Sequence, residues 1–200
     1  MELQVTIEQI KALLVIAPKS DERYYLTGAL LEVRDDRAWL AATDGHRMLV
    51  IRPAARMEGD DVRDGRYIIP RDLLAGAKVK KGGSLFLSID QYQGENKARA
   101  RIITGAGELA APTIDGQFPD WRRVIPATAS GEWAHYDPAF VGDFGTIAEL
   151  LSGARINARI HPNGTGTVPA PVDLGTADAL GLIMPVRAEQ RPYARPDWSR

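Results

Sequence analysis

Two hundred residues, 44% apolar and 26% charged, suffice for a sizeable core in one large domain or two small ones. A net charge of −1 provides no global positive field, so any contact with nucleic acid rests on local patches and is weak. The lack of cysteine excludes disulfides, thiolate metal sites and a cysteine nucleophile.

The first residues, ELQVTI, alternate as a strand does. They have neither the basic region nor the apolar run of a signal peptide, and no apolar run approaches a membrane span, so the cytoplasm is the expected location. Thr6 stands as N-cap before IEQIKALLVIA, whose Ile7, Ile10, Leu13 and Leu14 share one helical face. YYLTGALLEV and RAWLAAT read as strands about a tight turn at Asp35-Asp36. The segment DGH makes a corner before a third strand, HRMLVIRP.

The same order then returns. GRYIIP is a strand, RDLLAGAKV a short helix, and SLFLSIDQY, KARARIIT and ELAAPTI are strands. Fainter signals repeat it once more. EWAHY is a strand, PAFVGDFGTIAELL a helix with Pro138 near its start, and ARINARI, PAPVDLG and ALGLIMPV are strands. The chain thus predicts three strand–helix–three-strand units of roughly 60 residues each, recognisable by element order rather than identity. Each helix covers one face of an antiparallel sheet, which places the fold in the α+β class. The closing AEQRPYARPDWSR reads as a polar tail.

Four stretches carry possible chemistry. In TDGH, Asp44 and His46 have the groups of an acid/base pair. Asp-Gly is also a strong turn signal, and here it joins two apolar strands, which favours a structural corner over catalysis. His135 and His161 show no metal-ligand spacing. In DGQFPDWRRVIP, Pro119 and Pro126 bracket an ordered connector that is not a regular element. Its Phe118 and Trp121 either plug into a core or, with Arg123, wall a groove. GLIMPVR is either an edge strand or one side of an adaptable peptide groove. Arg71, Lys78, Lys80 and Lys81 form a basic cluster, read as a solvated helix end ahead of a DNA contact. No Walker loop, GxGxxG, GxSxG or HExxH occurs.

Taken together and in order, RYYLTGALLEV, ATDGHRM, DGQFPDWRRVIP and LIMPVR resemble the bacterial DNA polymerase III beta subunit family, the sliding clamps. The resemblance covers residues from about 3 to 188 and implies the DNA-clamp fold, with helices on one face and antiparallel sheets outside. It implies that residues 1–127 correspond to the family's complete middle domain and 128–190 to the second half of its last domain. The family's first domain and the first half of its third find no counterpart in these motifs.

What the resemblance implies about function is equally concrete. Family members are not enzymes and need no metal, nucleotide or other cofactor. They close rings around double-stranded DNA, hold on by topology rather than sequence, and count a clamp loader among their partners. A pocket receives leucine- and aromatic-anchored peptides of DNA polymerase and other partners. Matched residue by residue, its wall comprises Leu26, then Thr43, Gly45, His46, Arg47 and Met48, then Pro119, Arg123 and Val124. The end strand adds Leu182, Ile183, Met184, Pro185, Val186 and Arg187, and Phe140 lines the groove. Apolar contacts would give affinity, with Arg123 and Arg187 fixing orientation. Arg23, Tyr24 and Tyr25 are implied to reach DNA, and Lys11, Arg71, Lys78, Lys80 and Lys81 to face the hole. Asp137, Asp143 and Glu149 run against that, since they would repel phosphate. A family ring holds about twelve such units, so three per chain predicts a homo-oligomer, a head-to-tail tetramer. The competing reading is a peptide-binding regulator or decoy that forms no ring.

Overall fold

Thr6 caps the first helix in both directions. Its Oγ1 accepts from Gln9 N at 3.2 Å while its own N–H donates to Gln9 Oε1 at 2.9 Å, a capping box that turns strand directly into helix. The computed structural model describes residues 1–55, 63–91, 98–164 and 168–187; the expected tail lies outside them.

Strand β1 (Glu2–Thr6) leads into α1 (Ile7–Ile16), followed by a 3-10 turn (Tyr24–Leu26) and strands β2 (Gly28–Arg34), β3 (Arg37–Thr43) and β4 (Arg47–Ile51). Asp35 and Asp36 have φ of 50° and 60°, as a two-residue hairpin turn with right-handed strand twist requires. The second unit repeats the order with β5 (Gly65–Pro70), α2 (Arg71–Ala75), β6 (Ser84–Gln91), β7 (Ala98–Thr104) and β8 (Gly107–Pro112). A short α3 (Trp121–Val124) precedes the third unit, α4 (Pro138–Ser152), β9 (Arg159–Ile160), β10 (Ala170–Asp173) and β11 (Ala179–Ile183).

The first two units exchange their leading strands. β1 pairs antiparallel with β6, Thr6 opposite Ser84, and β5 pairs antiparallel with β2, Pro70 opposite Gly28. One sheet therefore runs β1-β6-β7-β8. The other runs β5-β2-β3-β4-β11-β10-β9, because β4 and β11 join the first and third units edge to edge, from Arg47–Ile183 to Ile51–Ala179. Helix α1 packs on α4 across that joint. Gly181 leaves the room: a Cβ there would stand 2.6 Å from Phe144 Cε1 and 2.9 Å from Val172 Cβ.

The main core unites β1, the sheet faces, and Ile7, Ile10, Leu13 and Ile16 of α1 with Phe144 and Ile147 of α4. Ile16 takes the place expected of Leu14, which is only partly buried. A second core lies on the opposite face of the seven-stranded sheet, where Leu26, Leu30, Met48, Val50, Ile68 and Leu182 are covered by Phe118 and Trp121. Burial on both faces explains why Gly28–Leu31 reads as a continuous apolar run rather than an alternation.

Four expectations need correction. Residues 132–136, EWAHY, are not a strand: only His135 bridges, to Val186, because no neighbouring sheet takes them up as β6 takes up β1. ARINARI shrinks to the two residues of β9, which has only β10 to pair with. Helix α2 stops after five residues at Gly76 rather than running through RDLLAGAKV. Conversely, the connector contains a regular element: Asp120 Oδ1 accepts from Arg122 N at 3.2 Å and starts α3. Among the described residues no helix is long and apolar enough to cross a membrane.

Candidate peptide-binding cleft

The corner TDGH is built by its own side chains. Asp44 Oδ1 accepts the backbone N–H groups of His46 (2.9 Å) and Arg47 (3.0 Å), and Gly45 supplies φ +87°. Thr43 Oγ1 donates to Arg47 O at 2.7 Å and accepts from Gly45 N at 3.0 Å. Asp44 Oδ2 takes Arg47 Nε at 2.9 Å, so the carboxylate is committed to the turn and to one arginine. The His46 ring lies on Phe140, centroids 6.2 Å apart. That commits the Asp44 carboxylate to the turn and to Arg47, and sets the His46 ring against Phe140.

Arg47 ties three elements together. Besides Asp44, it donates to Asp143 of α4, reaches Val15 O of α1 at 3.4 Å and sits 4.3 Å above the Phe140 ring. Its side chain is only 10% exposed. Asp143, expected to repel phosphate, is thus neutralised by Arg47.

Above this corner opens a cleft of about 200 Å³. Leu26, Met48, Val124, Leu182 and Met184 supply most of its wall, with Tyr25, Pro119 and Pro169 at its sides and Arg23, Thr43, Gly45, His46 and Arg47 as its polar part. The first and third units and the connector that carries α3 contribute, and the second unit does not. Pro119 and Val124 are held there from the opposite sheet face. Trp121 Nε1 donates to Glu32 Oε2 at 3.1 Å, and Arg122 pairs with Glu32 while lying 3.9 Å over the Trp121 ring and 4.8 Å over Trp39. Glu32 is 8% exposed, and Arg66 adds a third partner at 3.5 Å. A buried carboxylate on a sheet face is tolerable only when satisfied in this way.

The implied pocket residues separate by position. Leu26, Thr43, Gly45, His46, Arg47, Met48, Pro119, Val124, Leu182 and Met184 converge on the cleft. Phe140 lies behind His46 and Arg47 rather than in the wall. Ile183 does not belong to the wall: alternation along β11 turns it into the main core, fully buried. Pro185, Val186, Arg187 and Arg123 stand outside the lining, the last three exposed.

The residues implied to touch DNA also divide. Arg23 and Tyr25 line the cleft. Arg23 donates to Asp21 through Nε (3.0 Å) and Nη2 (2.8 Å) and to Asp44 O (2.9 Å). The Arg23 hydrogen bond holds the Asp21 carboxyl below the usual carboxylate range and raises Arg23 in turn. Tyr24 is 58% exposed and meets Tyr25 edge-on. Arg71 is not available: its guanidinium donates to Ala17 O (2.9 Å) and Leu14 O (3.2 Å), capping the end of α1. That also overturns its reading as a solvated charge. Lys11, Lys78, Lys80 and Lys81 are exposed. Lys11 and Lys81 share a cavity between α1 and α4 with Glu8 and Glu149.

The contributions of Arg23, Tyr25 and Pro169 to the cleft had not been expected. Pro169 precedes β10 with no local signal at all; only the tertiary joint brings it near Met184.

Comparisons agree with this architecture. The family described as DNA polymerase III beta subunit, central domain, matches residues 1–120. A beta sliding clamp of Pseudomonas putida is 32% identical over 139 residues, 69% of this chain and 34% of the relative. That of Escherichia coli is 34% identical over 107 residues, 53% of this chain and 27% of the relative. The matched region thus spans about a third of these relatives. The crystal structure of the Pseudomonas aeruginosa DNA polymerase sliding clamp with ligand superposes with TM-score 0.66 at 19% identity, covering 94% of this chain and 66% of that one. The Thermotoga maritima DNA polymerase III beta subunit gives 0.67 at 15% identity, with the same coverage. Exchanged leading strands, helices α1, α2 and α4 sharing the main core and a matched family across 120 residues make this chain a member of the DNA polymerase III beta subunit family, the sliding clamps.

Proposed function

We propose that the chain is a sliding-clamp-like processivity factor, tethering a DNA polymerase or other partners through peptides seated in the cleft. The observation that carries this reading is the convergence of Leu26, Met48, Val124, Leu182 and Met184 on one apolar cleft beside the TDGH corner, in a chain of this family. Residues 1–127 serve as a complete clamp domain and 128–190 as a half domain. A homo-oligomeric ring, a tetramer by unit count, encircles double-stranded DNA without reading its sequence, and a clamp loader opens it. The chain itself performs no catalysis.

Retention on circular DNA tests the ring. The protein should stay bound through a salt wash and leave when the DNA is linearised; equal loss from circular and linear DNA would refute encirclement. Met184→Ala should weaken a leucine/phenylalanine-anchored peptide by about 1–2 kcal/mol, read by titration calorimetry. Unchanged affinity would remove the cleft as the binding site.

A second reading is supported by the helical face. Glu8 and Glu149 lie with Lys11 and Lys81 between α1 and α4, and Arg71 is consumed internally. That surface offers phosphate little net attraction. A peptide-binding regulator without a ring would then bind the same peptides and show no DNA retention.

A further inference from the structure

We propose that a peptide seated in the cleft continues along the outer sheet face and is read a second time there, through an acidic residue on one flank, by Arg37 and Arg52. This rests on the cleft being the peptide site. Met48 and Leu182, opposite each other on the β4–β11 ladder, belong to the cleft. Val50 and Leu180, the next pair on the same sheet face, belong to a slot of about 170 Å³. Helix α3 walls both, turning Val124 to the cleft and Trp121 to the slot. Two residues further along β4, Arg52 N donates to Asp178 O at 2.7 Å and prolongs the ladder. There a hollow of about 240 Å³ lies against Arg52 and Arg37 and shares Arg52 and Asp178 with the slot. Cleft, slot and hollow therefore follow one another in line over the same two strands.

The chemistry changes along that line. The cleft is mostly apolar and suits anchors. The slot offers the side chains that dominate binding hot spots: Trp39 is half-buried with its ring centroid 6.4 Å from that of Trp121, and Arg122 stacks 4.8 Å over it. Charge is balanced there, since Glu32 pairs with Arg122 and Asp178 takes Arg52 Nη2 at 2.7 Å. Arg37 breaks the balance. It is exposed, and among the described residues its side chain forms neither an ion pair nor a hydrogen bond; Asp35, Asp36 and Asp64 all lie beyond ion-pair distance of it. Arg52 beside it is 51% exposed. The hollow thus presents two guanidinium groups against one carboxylate, which attracts an aspartate or glutamate and repels a lysine. An extended peptide rises about 3.3 Å per residue, so it passes from Met48 to Arg52 in about four residues, which sets the distance of the acid from its nearest anchor.

The experiment titrates the full chain by fluorescence anisotropy with three labelled peptides. One is a leucine/phenylalanine anchor alone; the others extend it by four residues ending in aspartate, on the amino or on the carboxyl side. The readout is the affinity of each extended peptide relative to the anchor. One of the two should bind about fivefold tighter, the reach of an exposed charge pair, and its lysine counterpart should show no gain. Arg37→Glu should reverse the preference between aspartate and lysine. Arg155→Glu, an exposed arginine beyond the end of α4, should leave that preference in place. Equal affinity for the anchor and both extended peptides would overturn the inference and leave the cleft reading standing. So would an equal gain from either flank, or a preference that survives Arg37→Glu and disappears with Arg155→Glu. Failure of all three peptides to bind would reject the cleft and its extension together.

Discussion

Arg47→Ala should lower the unfolding free energy by about 2–3 kcal/mol, below the cost of a fully buried pair because Asp143 keeps contact with water. The loss has several parts. Asp44 and Asp143 lose their cation, Val15 O loses a donor, and the Phe140 ring loses the guanidinium stacked on it. These groups lie on the corner before β4, on α1 and on α4, so the joint between β4, α1 and α4 loosens as a whole. Denaturant titration reads the effect as a lower midpoint with unchanged slope. Arg47→Lys should recover only part of it, since one ammonium cannot serve Nε, Nη1 and Nη2 directions together. Full recovery by lysine would mean that charge alone matters.

Trp121→Ala should cost about 3–5 kcal/mol and should also weaken peptide binding. The ring is 6% exposed and covers the outer core with Phe118. Its N–H is one of the bonds that satisfy Glu32, and its face carries Arg122. Removing it leaves a cavity, an under-satisfied carboxylate and an unanchored α3, which carries Val124 to the cleft. Trp121→Phe separates these parts by keeping most of the apolar area and deleting only the donor. It should lose about 1 kcal/mol and retain peptide affinity. Equal peptide loss in both variants would tie the cleft to the Glu32 bond rather than to the position of α3.

Much of this was legible in the order of residues. Thr6 with Gln9, Asp35-Asp36 and Asp-Gly are local devices whose hydrogen bonds close within a few residues, and they form where the sequence places them. The family motifs likewise pointed to segments that meet at the cleft. Long-range settlement was not legible. EWAHY has the composition of a strand, but a strand is a property of two segments, and among the described residues only Val186 pairs with it. WRRV lies between prolines that suggest a connector, yet Asp120 and the Glu32 anchor, 90 residues from Arg122, stabilise a helical turn. Arg71 looked like a surface charge because the carbonyls it caps belong to α1, 54 residues away. The pairing of Arg47 was equally hidden, because Asp143 lies 96 residues further on.

The β4–β11 ladder has one more consequence. Because it carries the first unit's sheet into the third without a break, while β1 and β5 cross-link the first unit to the second, the described residues contain no seam along which one part can melt alone. Loss of the third unit would bare Leu49, Ile51 and the α1 face; loss of the second would strip β1 of β6 and β2 of β5. Heat should therefore take the described chain apart in one all-or-none transition, three repeats behaving as a single cooperative body.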